Sequence, residues 1–280
     1  MPELPEVETM RRGILGIVGA RIVDVERVAC PRKLISISPR IDLFRRRTVG
    51  RTIRAVERVG KRVVVRLDSD DAIILEPRMT GLVLVADPPT REHLRFRCKL
   101  DGGGNVRELL YWDRRGLGNV RLVSPQEFEA AYGREKLGPD ALAMTAALFR
   151  EQLGNSRRAV KVALLDQRAV AGIGNLYASE ILHQAGIHPA ARCDRISRAK
   201  WALIADATLV ILQAAIRHEG STLSDGTYRN ALNQAGEYQN HHRVYDRAGE
   251  LCSRCSNGKL IVRIVQAQRS TFYCPACQRK

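Results

Sequence analysis

No stretch of this 280-residue chain reaches the ~18 uninterrupted apolar residues that a membrane span needs. The longest apolar candidate, 201–216, is broken by Asp206 and suits a core helix better. The opening MPELPEVETM carries acids at positions 3, 6 and 8 and lacks an apolar core segment, so no secretory signal is expected. Internal repeats and low-complexity tracts are missing as well. Acidic residues are in the minority: 30 Asp and Glu stand against 46 Lys and Arg, giving a formal charge of +16 and a pI near 10.1. With 45% hydrophobic and 27% charged residues, the composition excludes wholesale disorder. These absences leave a basic globular chain of about two domains, in the cytoplasm and off the membrane, whose first candidate partner is a polyanion such as nucleic acid.

Cysteine is present, but only part of it is patterned. Cys30, Cys98 and Cys193 are scattered and read as inert thiols; Cys30 and Cys98 have no His or Asn partner that would make a nucleophile. The other four read Cys252-x2-Cys255, 18 residues, Cys274-x2-Cys277. Two knuckles that each offer a thiolate pair can close a tetrahedral shell around one structural zinc ion, with no position left for catalysis. Disulfides compete, but this spacing in a cytosolic chain favours metal. Charge concentrates in the same region: residues 243–280 hold eight basic and two acidic side chains, a net of +6. So short a segment builds little core, and the metal is expected to supply its folding energy. Between the knuckles, KLIVRIVQAQRSTFYC reads as two strands around a turn near Ala267 and Gln268, which leaves Arg269 exposed and able to reach a phosphate.

Residues 3–18 have helical spacing behind Pro2 and Pro5. The period then shifts toward two, and 62–67, 72–76, 81–85, 93–100, 106–112 and 119–123 read as strands of an antiparallel sandwich or flattened barrel. From Ser124 the strand pattern ends. Helices are expected over 125–132 and 145–153, in a longer run through RRAVKVALL, in LYASEILHQAG and from 201 to about 219. The polar stretch 220–242 reads in part as a mobile loop, and His241 and His242 within it as solvated. The fold class is therefore α+β, with an N-terminal catalytic β-sandwich domain over 1–124, a linker over 125–140, a helical domain over 141–242 and a zinc hairpin over 243–280.

Two constellations could carry chemistry. In Gly172-Ile173-Gly174-Asn175, Asn175 is suited to cap the helix that begins at Leu176, and a helix N-terminus attracts phosphate through its N–H groups and dipole. At the other end of the chain, proline at position 2 allows removal of the initiator Met, which leaves Pro2 as a secondary amine with a pKa near about 8. That amine is partly neutral and nucleophilic at neutral pH, and its attack on a sugar C1′ gives an iminium. Glu3 and Glu6 lie beside it to move protons or stabilise positive charge. Residue chemistry by itself favours an ordinary Pro/Glu helix start over a nucleophile.

PELPEVETMRRG, DQRAVAGIGNLYASEILHQAGIHP and AQRSTFYCPAC, in that order over essentially the whole chain, resemble the formamidopyrimidine-DNA glycosylase family. The resemblance implies a helix-two-turn-helix domain followed by a zinc finger, in a two-domain clamp on damaged double-stranded DNA that acts as a monomer. It implies excision of oxidised purines such as 8-oxoguanine and formamidopyrimidines, followed by strand nicking through β- and δ-elimination. Pro2 then matches the nucleophile, Glu3 the catalytic acid, Glu6 a second acid and Lys61 a phosphate-contacting lysine that assists catalysis. Asn175 and Arg269 match phosphate ligands. Met79, Arg115 and Leu117 match the residues that fill the gap left by a flipped base, for which a flexible thioether is well suited.

The sequence also departs from the pattern. Glu76 stands where many relatives have a phosphate-holding histidine, and an anion there is expected to repel phosphate. Leu117 replaces an aromatic wedge, Gly116 replaces a second arginine, and 220–242 matches loosely. These departures leave lesion preference open between oxidised purines and the oxidised pyrimidines of the endonuclease VIII type. A non-catalytic damage sensor is the reading from another class, but a sensor has no need for Pro2 beside Glu3.

Overall fold

The computed structural model describes residues 2–102, 104–255 and 258–279. The chain divides into two compact units, one formed by 1–133 with 216–239 and the other by 134–215 with 240–280. The stretch 216–239 thus packs with the N-terminal unit, although it follows the helices of the second unit in the chain.

The first unit opens with α1 (Leu4–Gly13), followed by β1 (Arg21–Arg27), β2 (Ser36–Ser38), α2 (Ile41–Thr48), β3 (Ile53–Val59) and β4 (Arg62–Leu67). Next come β5 (Ala72–Glu76), β6 (Gly81–Leu84), β7 (Leu94–Asp101), β8 (Glu108–Asp113), β9 (Asn119–Val123) and α3 (Pro125–Tyr132). The strands form a four-stranded sheet ordered β1-β7-β8-β6 and a five-stranded sheet ordered β2-β9-β5-β4-β3. Among the described strands the pairs are antiparallel, as expected, apart from the short edge strand β2, which runs parallel to β9. Three residues cannot be recognised as a strand from their own alternation, so the sequence carried no signal for this edge.

RVVVRL and AIILE are apolar on both faces because both faces are covered. Val63, Val65, Ile73 and Leu75 join the main core between the sheets, together with Leu82, Phe96 and Tyr111. Val64, Ile74 and Ala72 point the other way into a smaller core with Tyr132 and Phe128 of α3. Alternation of side chains along a strand requires this split, and α3 is the lid on the second face. α3 begins at Ser124, whose hydroxyl accepts from Glu127 N while the Glu127 carboxylate accepts from Ser124 N, a reciprocal cap that explains the end of the strand pattern. α1 is buried from Leu4 to Met10 and packs against β3, β4 and β6.

The second unit contains α4 (Ala146–Leu153), α5 (Val160–Leu164), α6 (Asn175–Ala185), most of α7 (Arg198–Arg217) and the hairpin β10 (Val262–Gln266) with β11 (Arg269–Tyr273). The run RRAVKVALL yields a helix of only five residues, because Arg158 and Ala159 are drawn into backbone pairing with Cys193 and Arg192. α7 is long and apolar enough to cross a membrane by length and composition alone. It buries Trp201, Ile204, Ile211 and Leu212, and Trp201 stacks on Phe149 at 6.1 Å.

Candidate active site and nucleic-acid grip

Pro2 is buried and directly precedes Glu3, the N-cap of α1. Glu6, one turn into the helix, reaches back so that one carboxylate oxygen accepts from Glu3 N at 2.8 Å. Its other oxygen accepts from Ser221 N at 2.9 Å. A single buried carboxylate therefore joins the segment that carries Pro2 and Glu3 to the base of the 216–239 stretch. The same junction needs Gly220: its φ is +80°, and a β-carbon there would lie 2.9 Å from Glu6 Cγ. Tyr228, buried, donates to Glu219 O at 2.9 Å, and burial pushes its hydroxyl well above the ordinary tyrosine range. Glu8, the third acid of the opening motif, has a different task. Burial raises its pKa, but hydrogen bonds from Arg11 and Arg12 and the charge of Arg58 outweigh this and hold it below the usual carboxylate range.

Hydrogen bonds run through the 216–239 stretch, which overlaps the polar segment 220–242. Asn230, buried, accepts from Leu232 N and Gln234 N and donates to Glu219 Oε2 at 2.7 Å. Thr222 Oγ1 donates to Tyr228 O and accepts from Gly236 N, and Val85 N donates to Ala231 O at 3.0 Å, fastening the stretch to the end of β6. Glu6→Gln keeps the shape but sets an amide nitrogen against one of two buried N–H donors, which costs roughly 1–3 kcal/mol. The expected result is a melting temperature lower by a few degrees in differential scanning fluorimetry, and an unchanged melting temperature would separate Glu6 from this junction.

Lys61 lies in the turn between β3 and β4, after Gly60 with its positive φ. Arg58 braces this turn by donating to Gly60 O at 3.1 Å while paired with Glu8 at 3.1 Å. Met79 is 38% exposed in the turn between β5 and β6. Arg115 and Leu117 lie in the turn between β8 and β9, Arg115 exposed and Leu117 half-buried. One aspartate ties the two turns together. Asp113, fully buried, accepts from Thr80 Oγ1 at 2.5 Å, from Arg115 N at 3.2 Å and from Gly118 N at 2.8 Å. Asp113 and Thr80 were not singled out from the sequence, where an Asp beside turn residues reads as turn chemistry. Gly116 has a local reason for not being arginine: its φ is +63°, and a β-carbon would lie 2.5 Å from Lys33 O.

In the second unit, α6 begins one residue earlier than expected. Gly174 is the N-cap and Asn175 the first helical residue, so Asn175 makes no cap. Its side chain instead accepts from Lys161 Nζ at 2.5 Å and donates to Ser270 O at 2.9 Å. This fixes α6 to the hairpin residue that follows Arg269. Lys161 is fully buried, and an ammonium in the middle of RRAVKVALL gave no sign in the sequence of its role. Gln167 shapes the glycine turn by accepting from Gly172 N at 3.0 Å and donating to Ile173 O at 2.9 Å. The β10–β11 turn falls at Ala267 and Gln268, both with positive φ, as the right-handed strand twist demands of a two-residue turn. Arg269 follows it, exposed.

The four patterned cysteines meet. Their sulfurs all lie within 4.8 Å of one another, with Cys252–Cys277 at 3.8 Å and Cys255–Cys274 at 3.7 Å. A tetrahedron of ~2.3 Å zinc–sulfur bonds has edges of about 3.8 Å, whereas a disulfide is much shorter, so the set fits one structural zinc ion. His183, buried and pushed down to about 4 by burial, lies with Nε2 3.4 Å from Cys252 Sγ. As a neutral imidazole it can donate to the thiolate, a contact of the kind that orients a ligand. Three further groups dock this region onto α6. Glu180 accepts from the N–H groups of Arg243, Val244 and Tyr245; Arg254 donates to His183 O and Gln184 O at the helix C-terminus; and Gln278 bridges Cys274 N and Ile187 O. His242 is buried, with its imidazole pushed down to about 4 by burial, which corrects its reading as solvated. Cys98 and Cys193 are buried thiols pushed up to about 12 and about 11 by desolvation, and so are poor nucleophiles. Cys30 is only half-buried and contacts the Arg95 guanidinium.

Comparison with known proteins covers nearly the whole chain. Family profiles described as formamidopyrimidine-DNA glycosylase N-terminal domain, formamidopyrimidine-DNA glycosylase H2TH domain, and zinc finger found in FPG and IleRS match residues 1–120, 137–227 and 249–279. A formamidopyrimidine-DNA glycosylase of Chloroflexus aggregans is 39% identical, covering 99% of this chain and 98% of the relative. One of Streptococcus thermophilus is 38% identical over the full length of both. Among solved structures, wild-type Lactococcus lactis Fpg in complex with DNA containing N7-benzyl-Fapy-dG aligns at a TM-score of 0.85 and 35% identity over the whole of both chains. The complex of Lactococcus lactis Fpg with DNA containing an abasic site aligns at 0.85 and 34%, covering 99% of this chain and all of that one.

Proposed function

The chain belongs to the formamidopyrimidine-DNA glycosylase family, and on that premise we propose that it excises oxidised purines from duplex DNA and nicks the strand with Pro2 as nucleophile. The observation that carries this reading is the Glu6 carboxylate, which holds the Pro2–Glu3 segment at one end and Ser221 at the other. The neutral Pro2 amine attacks C1′ of the damaged nucleotide, and the base departs with the bonding pair, taking a proton. Glu3 supplies a proton to the ring oxygen as the sugar opens, which leaves an iminium between Pro2 and C1′. Loss of a C2′ proton then expels the 3′ phosphate, and a second elimination expels the 5′ phosphate. Lys61 steadies phosphate near the reacting sugar. Met79, Arg115 and Leu117 occupy the space vacated by the flipped base, with Arg115 donating to the orphaned partner.

In chain order, 1–124 carries catalysis, 125–140 leads to the helical segment 141–242, and 243–280 forms the finger, although 125–132 and 216–239 pack with the N-terminal unit. Asn175 and Arg269 hold backbone phosphate, which is why the hydrogen bond from Asn175 to Ser270 matters: it sets the hairpin that presents Arg269. The four cysteines would hold the zinc ion, whose contribution is structural; it takes no part in the reaction. The protein acts as a monomer and resides in the cytoplasm.

Relative cleavage of duplexes containing 8-oxoguanine, formamidopyrimidine and thymine glycol tests the substrate class. Preference for the two purine lesions is expected, and preference for thymine glycol would move the chain to the endonuclease VIII type. Arg269→Ala should weaken binding across sequences and flatten the slope of log K against log salt by about one unit. An unchanged slope in fluorescence anisotropy would remove Arg269 from the phosphate grip.

A further inference from the structure

Glu76, expected to repel phosphate, is enclosed by donors. It ends β5, between Asn119 of β9, its partner in register, and Arg62 of β4 on the other side. Asn119 Nδ2 donates to Oε2 at 3.0 Å, while Arg62 Nη2 at 3.3 Å and Arg78 Nε at 3.5 Å both approach Oε1. The Glu76 backbone is held as well, its carbonyl accepting from Tyr111 Oη at 2.7 Å. Two guanidinium groups and one carboxylate leave this locus with a net positive charge, so a passing phosphate meets attraction where the glutamate considered singly would repel it.

The two arginines are placed unequally. Arg62 follows Lys61, lies over the Tyr132 ring at 5.0 Å and keeps a buried Nε–H with no hydrogen-bond partner among the described residues. Arg78 precedes Met79 and is 55% exposed, while the Glu76 side chain is 17% exposed. Arg78 also has φ +50°, a conformation in which a β-carbon is disfavoured, so its direction is imposed by its surroundings. The carboxylate thereby links the residue after Lys61 to the residue before Met79.

We infer that Arg62 and Arg78, aligned by Glu76, form a phosphodiester-binding site between the Lys61 turn and the Met79 turn, with Glu76 as its positioning residue. The inference rests on the glycosylase reading for the strand it serves, but its electrostatics can be measured without catalysis. Arg78 takes the phosphate oxygen with its outward N–H groups, and Arg62 fixes the carboxylate that aims it.

The test is fluorescence anisotropy at several salt concentrations on undamaged and 8-oxoguanine duplexes, with excision rates alongside. Arg78→Ala should lower affinity several-fold on both duplexes and flatten the salt slope by about one unit. Glu76→Gln should also lower affinity, although it removes a negative charge, because the guanidinium groups lose their alignment. Tighter binding by Glu76→Gln, or an unchanged slope in Arg78→Ala, overturns the inference. Because Arg78 is largely exposed, its variant keeps the test available if Glu76→Gln fails to fold. Wild-type protein that does not excise 8-oxoguanine would overturn the glycosylase reading, while the slopes on undamaged duplex still decide this one.

Discussion

Protein that retains Met1 should excise no damaged base, although it folds and binds the duplex. The reason is electronic. An unacylated Pro2 is a secondary amine with a basic lone pair, whereas Pro2 inside a Met–Pro peptide bond has that pair delocalised into the carbonyl and cannot attack C1′. The iminium that drives both eliminations is then never formed, so strand nicking is lost together with base release. Intact-mass spectrometry sorts processed from unprocessed protein, and the processed fraction should account for all the activity. Pro2→Gly keeps an α-amine, so after Met removal it should remain measurably active but slower, because the imine of a primary amine can lose its N–H proton and become neutral, whereas the proline iminium has no such proton and stays charged. Equal activity with and without Met1 would remove Pro2 from the mechanism.

Removing the metal should have an effect as large, on a different property. The compact core around the knuckles consists of Val244, Cys252, Ile261, Phe272 and Cys274, and two of these five are ligands. Without zinc the remaining apolar side chains are too few to order the segment, so chelation is expected to unfold the finger and release one equivalent of zinc. Arg269 and the positive charge of the hairpin lose their placement, and Asn175 loses its acceptor at Ser270. Duplex affinity should fall by at least about tenfold, equivalent to 1.4 kcal/mol, and Cys274→Ser should reproduce the loss. Zinc release followed by a chromogenic chelator, with anisotropy on the same sample, measures both. Chelation that leaves affinity intact would contradict the structural role of the finger.

What could be read from the sequence follows the range of the interactions involved. Strands β4 to β9 and helices α3 and α4 fall within a residue or two of expectation, because alternation and the Ser124 cap are local signals. The cysteine spacing likewise led directly to four sulfurs in one place. The parallel edge strand β2 and the shortened α5 were not legible, since each depends on a distant neighbour. The supporting polar residues escaped for the same reason. Glu180 in an apolar helix, Lys161 behind Asn175 and Asp113 beneath the Met79 and Leu117 turns each bond to groups far away in sequence. Glu76 is the instructive case: its own charge pointed to repulsion, and only its neighbours on the flanking strands and turn reverse the sign.

The measurement closest to the central claim is borohydride trapping on an 8-oxoguanine duplex with protein shown by mass to begin at Pro2. Hydride should reduce the iminium to a stable amine, and peptide mapping should place the DNA remnant on Pro2. No adduct under conditions where the duplex is bound, or an adduct mapped to a lysine such as Lys61, would contradict the account.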